Sequence, residues 1–134
     1  MTLKTTPVSR NLFVNYLKRS KECLHAAQRS IEFKEWNSAT ISAIHSAIAS
    51  ADALCVFFLG VRHSGEKHED VIRLFKTISL KEEEIDINSK RIKRIIGIKN
   101  MAEYEERLVS QSEAVQAIKD AERLLSFIKA KLPK

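Results

Sequence analysis

The stretch "NSATISAIHSAIASADALCVFFLG", residues 37–60, decides the fold class of this 134-residue chain. Asn37 is suited to cap the start of a helix and Gly60 to stop it. Alanines cover much of the surface between them, which lets neighbouring backbones approach closely from most sides. The stretch therefore predicts a buried central helix. Its apolar positions recur every three or four residues, the period of a helix: Ile41, Ile44, Ile48, Ala51, Cys55 and Phe58.

Amphipathic helices are predicted on both sides of this central one. Residues 12–31 repeat apolar side chains at helical spacing and carry a basic outer surface. The stretch "HEDVIRLF", residues 68–75, is typical of a short helix. Two further long helices follow, and a capping-box spacing marks the start of each. These pairs are Ser79 with Glu82, which opens an acidic first turn, and Ser110 with Glu113.

The chain shows no pattern that competes with these helices. Both prolines, Pro7 and Pro133, lie near the ends, so no proline interrupts the interior. Short links between long amphipathic helices indicate antiparallel packing. The sequence predicts an all-α, up-and-down bundle of four long helices plus one shorter inserted helix. We expect a single domain over residues 1–134, with residues 1–8 as a frayed lead.

Composition indicates a globular protein, with 44% hydrophobic and 30% charged residues. Cys23 and Cys55 both fall within helical apolar patterns, and we interpret them as reduced packing thiols rather than a disulfide. Neither a signal peptide nor an uninterrupted apolar stretch of membrane-spanning length is visible. The sequence therefore predicts a cytoplasmic protein with no membrane association.

Positive charge is concentrated in one segment, since residues 87–102 contain five basic residues and no acid. Helical spacing lets some of these side chains converge on one phosphate or follow a nucleic-acid backbone. A second interpretation stays open, in which they face solvent or pair with the acidic turn at residues 82–86. The five are Lys90, Arg91, Lys93, Arg94 and Lys99.

No metal site, cofactor site or catalytic set is predicted from the residues themselves. His45, His63 and His68 lack a metal-ligand spacing, and no glycine loop suited to phosphate is present. No serine or cysteine stands in the setting of an activated nucleophile. Arg62 and His68 stand with five residues between them.

Two stretches carry a resemblance to a known superfamily. The order of features in "FKEWNSATISAIHSAIASADALCVFFLGVRHSGEKHEDVIRLF", continued by "NMAEYEE", resembles the HEPN superfamily (higher eukaryotes and prokaryotes nucleotide-binding). The resemblance extends from about Asn11 to Leu132. It implies a bundle of four to five helices that often dimerises, in agreement with the fold that periodicity predicts.

The resemblance also bears on catalysis. Ribonuclease members of the superfamily carry an arginine and, four to six residues later, a histidine, often with a tyrosine two residues beyond it, in a cleft between two subunits. Here Tyr104 matches the tyrosine, but Ala102 occupies the histidine position and the arginine zone holds Gly97, Ile98 and Lys99. The triplet "AEY" resembles another branch, whose members are partners of a nucleotidyltransferase or stand-alone proteins.

These observations lead to three hypotheses. The first is a non-catalytic binding module that dimerises through the cleft face. The second is a metal-independent ribonuclease toxin that uses Arg62 and His68, or His63 instead. The third is a structural partner of a nucleotidyltransferase in a toxin-antitoxin-like pair. In the first hypothesis Tyr104 either stacks on a base or makes a hydrogen bond that closes the helix turn. That module would present Lys90, Arg91, Lys93, Arg94, Lys99 and Tyr104 to a nucleotide, RNA or partner protein.

Overall fold

Five helices form the bundle in a computed structural model that describes residues 3–65, 67 and 69–134. The shortest helix, α3, is inserted between α2 and α4, so the predicted all-α bundle of four long helices and one shorter helix is confirmed. A single 3₁₀ turn at Arg10–Leu12 precedes the first helix. The helices are α1 (Phe13–Glu32), α2 (Trp36–Leu59), α3 (Glu69–Phe75), α4 (Glu82–Tyr104) and α5 (Gln111–Lys131).

Helix α2 lies at the centre of the bundle and packs against α1, α4 and α5. Its alanines at 39, 43, 47, 51 and 53 are buried, as their spacing predicts. Burial of these small side chains lets the flanking helices approach closely. Gly60 ends α2 in the left-handed region, with φ of 69°, and its N–H donates to the carbonyl of Val56. This confirms the predicted glycine stop.

The apolar composition of α2 is explained by this central position. Within the described residues, α2 is the one helix long and apolar enough to cross a membrane, with a mean hydropathy of 1.6 in its most apolar window. In the bundle, 67% of that window is buried against other parts of the chain. The helix thus satisfies its apolar side chains through protein contacts.

Three residues were predicted to cap helix starts, and only one of them, Ser110, does so. At α5, Ser110 Oγ accepts a hydrogen bond from the Glu113 N–H at 3.2 Å, and Glu113 accepts one from the Ser110 N–H at 2.9 Å, so that capping box is confirmed. Hydrogen bonds from Arg107 and from the Ser110 backbone lower the pKa of Glu113 to about 2. By contrast, α4 begins only at Glu82, so Ser79 lies too early to cap it. That prediction was wrong.

The prediction for Asn37 was also wrong, because α2 begins one residue before it, at Trp36. The Asn37 side chain therefore does not cap its own helix. Glu35 occupies the N-cap position and makes no side-chain cap bond. Asn37 is left free to reach another part of the bundle.

The N-terminal segment differs from the frayed lead expected for residues 1–8. Strand β1 (Thr5–Pro7) pairs antiparallel with strand β2 (Val61–His63), which follows the Gly60 stop. Flanking bonds extend the pairing, from Val8 N–H to the Gly60 carbonyl at 2.9 Å and from Ser64 N–H to the Lys4 carbonyl at 3.0 Å. Three-residue strands are too short to show a period in sequence, and only the end of α2 brings these two together.

Candidate functional site

The stretch "GIKNMAEYE", residues 97–105, forms the last two turns of α4 and its end. Gly97 lies inside the helix and not in a turn. An added Cβ would meet nothing within 4 Å, so close packing does not require a glycine there. The helix ends at Tyr104, and Glu105 takes up an extended backbone with φ of −88° and ψ of 158°. Ala102, Glu103 and Tyr104 therefore occupy the final helical turn.

Asn37 holds this helix end in place. Its Nδ2 donates to the carbonyl of Ala102 at 3.0 Å, and its Oδ1 accepts from the N–H of Val109 at 2.9 Å. One side-chain amide thus joins the start of α2 to the last turn of α4 and to the loop that leads into α5. Because Ala102 and Val109 are buried, these backbone groups would otherwise lack partners.

Four side chains meet at this end and are called here the α4-end cluster: His45, Lys99, Glu103 and Tyr104. Lys99 Nζ lies 2.9 Å from Glu103 Oε2 and 5.4 Å from the centre of the Tyr104 ring. On the other side of the carboxylate, His45 Nε2 lies 3.7 Å from Glu103 Oε1. The Tyr104 residue is 74% exposed, whereas Lys99 and Glu103 are largely covered. The cluster therefore presents an aromatic ring to solvent above an internally paired set of charges.

The charges of the cluster stabilise one another. Burial by itself raises the pKa of Glu103, but the hydrogen bond and charge of Lys99, the charge of His45 and a hydrogen bond from Tyr104 outweigh burial and lower that pKa overall. The hydrogen bond to Glu103 raises the pKa of Lys99. Glu103 is thus held as a carboxylate and Lys99 as an ammonium, which fixes both side chains beside the ring.

His45 also borders a groove between α1 and α2. The groove has a volume of about 220 Å³, and Arg19, Cys23 and Asp52 line it as well. The Arg19 guanidinium lies 5.3 Å from the centre of the Tyr16 ring and has no carboxylate partner among the described residues. Sequence reasoning missed Arg19 and His45 as site residues. A histidine within an otherwise apolar α2 was the signal available for His45, while nothing in the basic outer surface of α1 distinguished Arg19.

A family model for the HEPN domain matches residues 14–131. The chain belongs to the HEPN family. The fold is similar to the crystal structure of TT1696 from Thermus thermophilus, with a TM-score of 0.74 and 18% identity over 91% of this chain and 99% of that one. At this identity the likeness concerns the fold alone. No match was found among curated proteins.

Ala102, which the sequence resemblance places at the histidine position of ribonuclease members, ends in a buried methyl group. Ala102 is 6% exposed and packs into the core. An imidazole nevertheless reaches the same neighbourhood from α2, since His45 contacts Glu103 and its side chain is 56% exposed. The contact that His45 makes with Glu103 therefore lies at the surface of the bundle.

The five basic residues of α4 do not form one surface in the HEPN bundle. Lys90 and Lys99 are nine residues apart, which places them on opposite sides of a helix that turns by about 100° per residue. Four of the five have a polar partner, and only Lys93 has none among the described residues. The partners are Asp86 for Lys90 at 3.3 Å, Asn88 for Arg91 at 2.8 Å, Asp120 for Arg94 and Glu103 for Lys99.

Arg94 makes the strongest of these contacts. Its Nη2 donates to Asp120 Oδ1 at 2.8 Å and its Nε to Asp120 Oδ2 at 3.1 Å, so the pair is bidentate. The Asp120 side chain is 1% exposed and that of Arg94 is 53% exposed. This hydrogen bond raises the pKa of Arg94. Arg94 therefore ties α4 to α5 at the edge of a cavity of about 210 Å³, and its guanidinium is already engaged.

Of the alternative catalytic pair, Arg62 and His68, the structure describes only Arg62. Arg62 lies on β2, and its Nη1 donates to the backbone carbonyl of His63 at 3.0 Å, while His68 lies outside the described residues. His63 on the same strand contacts buried Asp52, with 3.2 Å between Nδ1 and Oδ1. Across residues 3–65, 67 and 69–134, no three histidine, cysteine or acidic side chains gather as a metal site.

Proposed function

We propose that this HEPN domain binds a nucleotide or a single-stranded RNA segment at the α4-end cluster and does not cleave it. The observation that supports this proposal is the exposed ring of Tyr104 beside the fixed ammonium of Lys99. An aromatic ring at the surface can stack on any base, and each such contact contributes about 1–3 kcal/mol to binding. Because Lys99 is paired with Glu103, the phosphate of such a ligand is expected to bind in the groove beside the cluster.

The groove beside the cluster supplies the second element of such a site. Arg19 and His45 line it together, and His45 contacts the Glu103 carboxylate of the cluster. A base stacked on Tyr104 would therefore have an unpaired guanidinium and an imidazole within the same neighbourhood for its phosphate. Arginine is well suited to this role because its planar group donates several hydrogen bonds to phosphate oxygens.

The absence of a proton carrier at Ala102 supports binding without cleavage. A methyl group neither accepts the proton of a ribose hydroxyl nor donates one to a leaving oxygen. Acid-base assistance typically contributes about 10²–10⁴ to the rate of such a reaction. Loss of this contribution leaves a surface that retains recognition and lacks the family's usual chemistry.

Fluorescence anisotropy with short labelled uridine and adenine oligomers tests the proposal. We expect Tyr104→Ala to raise the Kd about 5- to 20-fold, because a stacking surface is removed. Tyr104→Phe keeps the stacking ring, so its Kd is expected to stay within about twofold of that of the native chain. Affinity of the native chain should fall steeply between about 50 mM and about 200 mM salt.

Leu108→Ala serves as the matched control, since Leu108 is 75% exposed just beyond α4 and has no ring to stack. Binding that is undetectable at low salt, or that is the same for Tyr104→Ala and the native chain, would contradict the proposal. A salt-independent Kd would exclude phosphate contacts as its source.

A second candidate function follows from His45. An exposed imidazole held beside a carboxylate is the arrangement of a general base with an orienting group. In RNA cleavage it would accept the proton of a 2′-hydroxyl while the O2′–P bond forms, the P–O5′ bond breaks and water protonates the leaving oxygen. This metal-free reaction would be a ribonuclease activity that does not depend on Arg62 and His68.

Incubation of RNA with the protein in the presence of a chelator separates the two functions. Cleavage that His45→Ala reduces by about 10²-fold or more, and that His25→Ala leaves unchanged, would establish the ribonuclease. His25 is the matched control because it is an exposed histidine on α1 outside the cluster. Our first proposal predicts intact RNA with all three proteins.

A further inference from the structure

We propose that two copies of this chain associate through the end of the bundle opposite the α4-end cluster. In this contact a basic groove of one copy receives the acidic first turn of α4 from the other. The proposal goes beyond RNA binding and does not depend on it. It also differs from the dimer that the sequence resemblance implies, which would join the subunits around the end of α4.

The basic groove lies between the start of α1 and the end of α5. It has a volume of about 620 Å³, larger than either of the two cavities described above, and Val14, Leu17 and Leu132 contribute to its apolar floor. Among the described residues, no acidic side chain lines it. Its rim carries four lysines without a carboxylate partner among the described residues: Lys18, Lys21, Lys129 and Lys134.

Such a groove favours an occupant with both apolar and acidic side chains. Val14 is about half exposed, so covering it removes apolar surface from water. Four neighbouring ammonium groups repel one another, and carboxylates from an occupant would relieve that repulsion. An occupant with only apolar side chains would leave the lysines without partners, and one with only acidic side chains would leave the apolar floor in contact with water.

The first turn of α4 has both properties. Glu82 and Glu83 are exposed and make no ion pair within the described part of the chain. Asp86, one turn further along, makes only an exposed contact to Lys90. Next to it, Ile87 is 52% exposed, which is unusual for an isoleucine in a bundle. The turn therefore presents an apolar side chain surrounded by carboxylates.

The position of the two patches makes them complementary within a symmetric pair. Lys131 Nζ on α5 lies 3.0 Å from Glu84 Oε1 on α4, so the groove and the acidic turn flank the same last turn of α5. When two adjacent patches of opposite charge meet their copies across a two-fold axis, each patch faces its complement. Both contacts then form in the same dimer, so neither copy keeps an unoccupied groove that could bind a third copy.

The floor of the groove argues against a nucleic acid as the occupant. Phe13, its aromatic residue, is 9% exposed and packs edge-to-face on Phe57 with 5.2 Å between the ring centres. Bases would thus find no exposed ring to stack on. The contact also lies far from the proposed RNA site, since α4 runs for about 33 Å between its first turn and Tyr104.

Charge exchange between two variants tests the proposal by sedimentation velocity. Lys18→Glu with Lys21→Glu makes the groove acidic, and Glu82→Lys with Glu83→Lys makes the turn basic. We expect each double variant alone to dimerise about tenfold or more weakly than the native chain, because like charges face each other. An equimolar mixture of the two is expected to form a heterodimer, because both of its contacts then join opposite charges.

The control variant carries Lys76→Glu with Lys119→Glu, which makes the same change in net charge at exposed positions outside the groove. It should dimerise like the native chain, and RNA binding should stay within about twofold in every variant because screening limits charge effects over such a distance. Circular dichroism establishes that each variant is folded. If the turn variant unfolds, Glu82→Gln with Glu83→Gln replaces it and should weaken the dimer to a smaller extent.

A monomeric native chain would overturn the proposal. So would a dimer that persists unchanged in the groove variant, which would place the contact elsewhere, or a mixture that fails to form heterodimers. If the chain does not bind RNA but the two charge variants form heterodimers as expected, only the proposed function is contradicted.

Discussion

Arg94→Ala is expected to lower the free energy of unfolding by about 2–4 kcal/mol. The substitution leaves the carboxylate of Asp120 without its guanidinium partner, and that side chain is 1% exposed. A buried charge that loses its partner costs about 3–5 kcal/mol in other proteins, and the value here is set lower because the Arg94 side chain is 53% exposed. Urea denaturation at neutral pH measures the change.

Lys93→Ala provides the matched control for this prediction. Lys93 is the next residue on the same helix, is exposed and has no partner among the described residues, so its loss should change stability by less than about 0.5 kcal/mol. Arg94→Lys keeps the charge but not the bidentate geometry, and its effect should be intermediate. If Arg94→Ala weakened RNA binding without affecting stability, the arginine would be a ligand-binding residue and our structural assignment would be wrong.

Asn37→Ala is expected to destabilise the protein by about 2–4 kcal/mol and to weaken RNA binding as well. The carbonyl of Ala102 and the N–H of Val109 lose their partner, at 3.0 and 2.9 Å respectively, and both residues are buried. An unsatisfied buried backbone group costs about 1–3 kcal/mol. The last turn of α4, which carries Tyr104, also loses its attachment to α2.

Asn37→Asp separates the two bonds of this residue. An aspartate still accepts from Val109 but places an acceptor oxygen against the Ala102 carbonyl, so its destabilisation should be at least as large as that of Asn37→Ala. Ser42→Ala, on the same helix and without a hydrogen bond of its own among those observed, should have little effect. Thermal denaturation and the RNA titration are the two measurements. Unchanged stability in Asn37→Ala would show that water replaces both bonds and that the residue does not organise the site.

The outcome at the α4-end cluster shows how far sequence reasoning reaches into a site. Tyr104 and Lys99 were predicted as site residues, and the structure has them in contact. Lys90 was grouped with them, but it lies about 180° around the helix from Lys99 and about 21 Å along the helix axis from Tyr104. His45 joined the cluster only through the packing of α2 against α4. Charge density along a sequence therefore does not show which basic side chains share one surface.

Fold class, the central place of α2, the Gly60 stop and the Ser110 capping box were all determined by the sequence itself. Each of these depends on residues within one or two helical turns, and such short-range preferences are visible in a single chain. The absence of an imidazole at residue 102 is likewise read directly from the sequence, because it depends on the identity of a single residue.

The tertiary structure alone decided which polar groups meet. Asn37 reaches partners 65 and 72 residues away, and Arg94 pairs with a carboxylate 26 residues away. The pairing of β1 with β2, far too short to be seen as a pattern, depends on where α2 ends. Such contacts are selected when the whole apolar core packs, because burial then removes water as the alternative partner and each buried polar group must take whichever neighbour the packing supplies.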